Sequence, residues 1–137
     1  MRILMVGSEA IPYAKTGGLA DVLGVLPAAL ARLGHHVDVV IPRYRGITAG
    51  QAAGRLSISL GGRLAEAPTF VLENDGVRMV FVDQPAYFDR PTVYGDGNRD
   101  YPDNAQRFAF LARAALEWSI SQGRRYDIVH AHDWQAG

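Results

Sequence analysis

The sequence predicts an α/β fold: a Rossmann-like parallel sheet flanked by helices, with a β-hairpin inserted in its middle. Three observations carry this. A short, continuous apolar run opens the chain at residues 2–7. An amphipathic helical pattern and a second apolar run follow, a strand–helix–strand unit whose crossover is right-handed in nearly all proteins. Asn74-Asp75-Gly76 then separates two β-rich runs, a strong hairpin signal.

Each element follows from its residues. Residues 2–7 read as a buried strand. Leu19, Val22, Leu23, Leu26, Ala29, Leu30 and Leu33 recur at three- and four-residue steps, one apolar helix face. Pro27 lies inside that pattern, where its missing N–H should kink the helix or start a second segment. Gly34 is the expected stop, and Val37 to Ile41 the second strand, closed by Pro42. Arg55 to Leu60 alternates as a strand, and Pro68 to Glu73 and Val77 to Val82 flank the turn. Residues 85–102, rich in Pro, Gly, Asp and Tyr, predict a long irregular loop, and loops of that length are functional or disordered. Asp103 or Asn104 is placed to cap a helix that buries Phe108, Leu111, Ala115 and Trp118. Tyr126 to His130 is the final strand.

A chain of 137 residues has one-domain length, and 48% hydrophobic with 20% charged residues is the profile of a soluble globular protein. Fourteen basic and fourteen acidic residues cancel, so no charge excess argues for nucleic acid or an anionic membrane. The absence of cysteine excludes disulfides, thiol catalysis and thiolate metal sites, and fits a cytoplasmic setting. The N-terminal apolar run is far too short to span a membrane or serve as a signal, so a soluble, non-exported protein is expected.

Lys15-Thr16-Gly17-Gly18 is the candidate binding loop. It lies between the first strand and the start of a helix, where free backbone N–H groups and the helix dipole favour an anion. Gly17 and Gly18 would let a phosphate approach the backbone, and Lys15 adds a full charge. Walker A spacing is absent, and residues 9–14 hold no glycine for a dinucleotide fingerprint. The alternative, glycines that merely turn the chain, stays open. His130-Ala131-His132-Asp133 has strand spacing that puts both imidazoles on one face, as in some metal sites. Only His35 and His36 remain as further histidines, beside a helix stop, so no metal is expected. Asp21 suits either the helix dipole or sugar hydroxyls, and Tyr13, Tyr94, Tyr101 and Trp134 are candidate sugar-facing rings. Trp118 reads as core, and Arg43 and Arg107 as surface charges. No catalytic residue can be named. In an open parallel sheet, ligands sit beyond the C-terminal strand ends, which is where the Lys15 loop and His130–Trp134 fall.

The wording of these segments resembles bacterial glycogen synthases and plant starch synthases. The shared words are Ser8-Glu9, Lys15 to Val22, Gly24 to Ala29, Asp89-Arg90-Pro91, Tyr94, Asp103-Asn104 with Arg107-Phe108, and Val129 to Trp134. Gln135 departs from the histidine often found there. The resemblance implies a retaining transferase that moves glucose from ADP-glucose to the non-reducing end of an α-1,4-glucan, with no cofactor. It implies a two-domain GT-B enzyme, of which this chain is a single, incomplete N-terminal Rossmann-like domain, residues 1–137, without the C-terminal nucleotide-binding domain. By itself such a chain should be inactive and could self-associate through an exposed sheet edge. The resemblance also implies substrate-binding roles for Lys15, Thr16, Gly17, Gly18, Asp21, Tyr94, His132, Asp133 and Trp134. A second class stays open, a stand-alone sugar- or phosphate-binding half-domain without catalysis.

Overall fold

The computed structural model describes residues 1–123 and 125–137. In order they form β1 (Arg2–Val6), α1 (Gly18–Arg32), β2 (His36–Pro42), β3 (Gln51–Leu60), β4 (Arg63–Asn74), β5 (Val77–Val82), α2 (Pro85–Phe88), α3 (Asn104–Ser121) and β6 (Ile128–Ala131). The strands make one sheet in the order β3-β4-β5-β2-β1-β6. β5, β2, β1 and β6 run parallel, while β4 and β3 are antiparallel to their neighbours.

The apolar strand runs exist because both faces of the parallel part are covered. Leu4, Val6, Val40, Val80 and Val82 point to the face carrying Phe108, Leu111 and Trp118 of α3. Ile3, Met5, Val37, Val39, Ile41 and Phe81 point to the other, where α1 packs with Leu23. Alternation along each strand thus feeds two cores, and the sheet is the middle of three layers.

Four local features differ from the sequence reading. α1 runs unbroken through Pro27, whose ring is buried, so the loss is confined to the hydrogen bond its N–H would have made one turn back. Its buried residues are Ala20, Leu23 and Pro27, whereas Val22 and Leu33 stay exposed. Gly61 (φ 58°) and Gly62 (φ 76°) make a second two-residue hairpin between β3 and β4. It repeats the device at Asp75 (φ 50°) and Gly76 (φ 77°), both left-handed as a type I′ turn requires. The insertion is therefore a three-stranded meander, β3-β4-β5. Finally, the loop after β5 opens with the short helix α2.

No side chain caps α3. Asp103 gives its carboxylate to Arg90 Nη1 at 2.7 Å and to Arg90 Nη2, and the Arg90 hydrogen bond holds its carboxyl below the usual range. Asn104 is buried and bonds Tyr94 and Arg107 instead. The α1 stop is as expected: Gly34 N–H donates to Ala31 O at 2.9 Å and His35 N–H to Leu30 O at 3.2 Å, the paired bonds of a Schellman motif. Among the described residues no helix is long and apolar enough to cross a membrane.

The topology fixes where a ligand can go. The chain starts in mid-sheet at β1, builds outward on the β2 side, then returns to lay β6 on the other side of β1. Loops leaving the C-terminal ends of β1 and β6 diverge there and open a crevice.

Candidate functional site

Three loops meet at that end of the sheet: residues 7–17 after β1, 83–103 after β5, and 132–137 after β6. The first two are joined at Glu9, 3% exposed. Its Oε1 accepts from Thr16 Oγ1 at 2.9 Å and from the Tyr94 hydroxyl at 2.8 Å. Its Oε2 accepts from the N–H groups of Thr16 and, at 3.3 Å, of Gly17. Part of the loop's backbone anion-binding capacity is thus already met from inside the protein. The start of α1 beyond it has no side-chain cap, and first-turn N–H groups have no partner within the helix.

Lys15 extends across that start to Asp21, its Nζ 2.6 Å and 2.8 Å from the two carboxylate oxygens, with both side chains half-exposed. An exposed pair of this kind contributes at most about 1 kcal/mol, so a stronger anion can take the ammonium over. Gly17 is extended (φ −153°), and neither Gly17 nor Gly18 has a left-handed φ. A Cβ at either position would meet nothing within 4 Å. The turning role left open above therefore fails: this chain alone would accept a side chain at both places.

Tyr94 forms the opposite wall. Its hydroxyl also meets Ser8 Oγ at 2.6 Å. Burial pushes the phenol well above its ordinary value, and the Glu9 carboxylate adds to that against the hydrogen bond of Ser8. Tyr94 therefore stays a donor at any physiological pH. An open cleft of about 590 Å³ lies between Thr16 and residues 92–100. The Trp134 ring, 56% exposed, stands 6.4 Å from the ring of Tyr94 and 5.4 Å edge-on from Phe108. The other two ring candidates pack elsewhere: Tyr13 against Phe81, Tyr101 beneath Arg90 and Arg107.

Arg107 is not a surface charge but fully buried. Its guanidinium donates to Tyr87 O at 2.7 Å, Val93 O at 2.9 Å and Asn104 Oδ1 at 2.7 Å, and Asn104 Nδ2 holds Tyr94 O at 2.9 Å. Tyr94 O also accepts the Tyr101 N–H at 2.8 Å, and together these bonds fasten the loop backbone that presents Tyr94. Arg43 is partly covered, pairs with Asp83 at 3.4 Å and lies over Phe70.

At the end of β6 the two imidazoles do share a face, ring centroids 3.9 Å apart. Among the described residues no group of three or more candidate metal ligands gathers there. His132 is buried, and burial, then the neighbouring His130, pull its pKa below the usual value. Asp133 is left-handed (φ 63°), exposed, and accepts the Trp134 N–H at 2.7 Å. No hydrogen bond among the described residues ties the Lys15–Asp21 pair to His132, Asp133 or Trp134.

Set against known proteins, the sequence profile described as the starch synthase catalytic domain matches residues 2–137. The chain belongs to the starch synthase catalytic domain family. A glycogen synthase of Anaeromyxobacter dehalogenans is 46% identical over all of this chain and 29% of its own length. One of Koribacter versatilis is 44% identical over 99% of this chain, again 29% of its own. The chain thus spans under a third of these relatives. The catalytic domain of starch synthase IV from Arabidopsis thaliana, solved bound to ADP and acarbose, superposes with a TM-score of 0.84 at 31% identity. It covers 98% of this chain and 28% of that one, so the mixed sheet is the opening part of a GT-B catalytic fold.

Glu9, Ser8, Asn104 and Arg107 were not singled out from spacing. The available signal was a polar pair, Ser8-Glu9, directly at the end of a buried strand, and the Asp103-Asn104…Arg107 word in the family pattern.

Proposed function

We propose that this chain is part of the N-terminal domain of a glycogen or starch synthase, one wall of a cleft in which glucose passes from ADP-glucose to the non-reducing end of an α-1,4-glucan with retention. The observation that carries the reading is Gly17-Gly18: glycines with no conformational need and open space where a Cβ would stand, beside a cation and a helix start. What they leave room for lies outside this chain. As the sugar–phosphate bond breaks, charge grows on the departing diphosphate, and Lys15 with the first turn of α1 is suited to stabilise it. Thr16 contributes to the loop. Asp21, Tyr94, His132, Asp133 and Trp134 would line the sugar side, carboxylates for hydroxyls and rings for apolar sugar faces. The reading calls for no cofactor, since the donor brings its own leaving group. The ADP and acarbose on the starch synthase IV structure support both halves of it.

The whole polypeptide, given ADP-glucose and a maltooligosaccharide, should lengthen the glucan and prefer ADP-glucose to UDP-glucose. Binding of both ligands without transfer would instead favour the non-catalytic module. The 137-residue piece should be inactive, because holding donor and acceptor together is worth about 7–11 kcal/mol of barrier and needs both walls. A cytoplasmic setting, consistent with the absence of cysteine, belongs to the same reading. So does self-association of the isolated piece through β6, an edge strand with exposed Ile128 and Val129, which sedimentation at rising concentration would detect.

A further inference from the structure

We propose that Glu9 is a positioning residue: its buried carboxylate is the clasp that sets the Lys15–Gly18 loop and the 92–100 loop relative to each other, and so sets donor and glucan together. This rests on the synthase reading above for what the two loops hold, but the clasp itself does not.

Among the described residues the hydrogen bonds that link residues 15–18 to residues 92–100 run through Glu9, while Ser8 Oγ meets the Tyr94 hydroxyl from beside it. One oxygen takes the Thr16 and Gly17 N–H groups, and the other takes the Thr16 and Tyr94 hydroxyls. Both loops are otherwise mostly exposed, while Glu9 is almost completely shielded from water. On its far side Tyr94 is held through its carbonyl by Asn104, which Arg107 fixes in turn. A continuous chain of bonds therefore runs from the core of α3 to the backbone of the candidate donor loop, with one side chain as its bridge.

Charge makes the placement informative. A carboxylate beside a diphosphate-binding loop repels the ligand, so its presence needs a compensating use. Geometry supplies that use without requiring the charge. The partners of Oε1 are two hydroxyls that can each turn to accept, and only Oε2 must remain an acceptor for two N–H groups. A glutamine fits this pattern, whereas alanine strips the Thr16 and Gly17 N–H groups and the Thr16 hydroxyl of their partner and leaves Tyr94 only Ser8, and aspartate is one methylene too short to reach both loops.

The test uses the full-length protein with Glu9→Ala, Glu9→Asp and Glu9→Gln, read by amide hydrogen exchange and by kinetics. In Glu9→Ala, exchange at residues 15–18 and at 92–100 should rise together, roughly tenfold to a hundredfold, with the sheet core unchanged. Donor and glucan KM should rise together as well. Glu9→Asp should behave similarly, and Glu9→Gln should restore most of both losses. The clasp is overturned if exchange rises in one loop only, if it rises throughout the core, or if Glu9→Gln is no better than alanine. Failure of the synthase reading looks different: the parent protein then transfers no glucose, and the exchange pattern still decides for or against the clasp.

Discussion

Asp38 and Glu9 are the two carboxylates that the described residues bury, and they lie at opposite ends of the sheet. Each accepts four hydrogen bonds. Asp38, near the start of β2, takes Arg78 Nε at 3.0 Å, Arg78 Nη2, Trp118 Nε1 at 3.2 Å and the Tyr126 hydroxyl. Arg78 stands on β5 and Trp118 on α3, elements fixed by the core. Burial, then Asp38, push Tyr126 up to about 12, so it too remains a donor. Glu9 instead takes two backbone N–H groups and two hydroxyls from loops. The same chemistry serves two purposes: a carboxylate met by side chains of packed elements fastens the fold, and one met by loop groups gives a surface its shape.

That contrast can be broken most directly at Asp38. Asp38→Ala leaves the largely covered guanidinium of Arg78 with only Gln122 as a partner, and breaking a largely buried pair costs about 3–5 kcal/mol. Chemical denaturation should show a loss of that size. A loss below about 1 kcal/mol would mean that Asp38 is no more structural than an exposed ion pair.

At the other end the loss should appear in kinetics instead. Lys15→Ala removes an exposed pair, so stability should change by under about 1 kcal/mol. In the whole enzyme, donor kcat/KM should fall by the equivalent of roughly 1.5–3 kcal/mol, a charge-assisted phosphate contact. Lys15→Arg should also be impaired, since a planar fork does not replace a compact ammonium. Unchanged donor kinetics in Lys15→Ala would return the residue to the role of a solvated loop charge.

Gly18→Ala sharpens the point further. At the start of α1, with no contact for the new methyl group, it should stabilise the fold by up to about 0.5–1 kcal/mol. The same change should weaken the donor, seen as a raised KM. A variant that gains stability and keeps its KM would remove the central support for a ligand at that loop.

The smallest effect concerns His132. Its pKa is lowered on folding, by burial and then by His130, so the folded state favours the neutral ring. This contribution is present above the ordinary histidine value near 6.5 and is lost as pH falls through the lowered one. Melting temperature should therefore drop more steeply between about pH 7 and about pH 5 for the parent than for His132→Gln. Identical slopes would show that His132 titrates as it does unfolded.

Much of this was legible in the residues. The strands of the parallel core show as apolar runs because both their faces are covered, and Asn74-Asp75-Gly76 announces its turn through the residue types a type I′ geometry demands. Gly61-Gly62 carries the same signal but escapes because the start of the strand after it, residues 63–66 of β4, is largely exposed and shows no apolar pattern. Arg107 was read as a surface charge because arginine is seldom buried unpaired. Its partners here are backbone carbonyls twenty and fourteen residues back, which leave no trace in side-chain spacing. The loop of Lys15 was visible as a motif. That Glu9 already holds its N–H groups was not, since hydrogen bonds between loops depend on the finished sheet bringing them together.

The Lys15–Asp21 pair has a consequence for how a ligand arrives. With the ammonium held against a carboxylate, the pair presents a dipole rather than a net charge. Beyond the Debye length of about 8 Å an anion feels almost no pull from the pair, so Lys15 itself should add little long-range steering. On the proposed reading a phosphate would compete for Lys15 only at contact, and in doing so would release Asp21 as a fresh hydrogen-bond acceptor. On that reading the Lys15–Asp21 pair is neutral to an approaching solute and would become polarised only in the presence of one that fits.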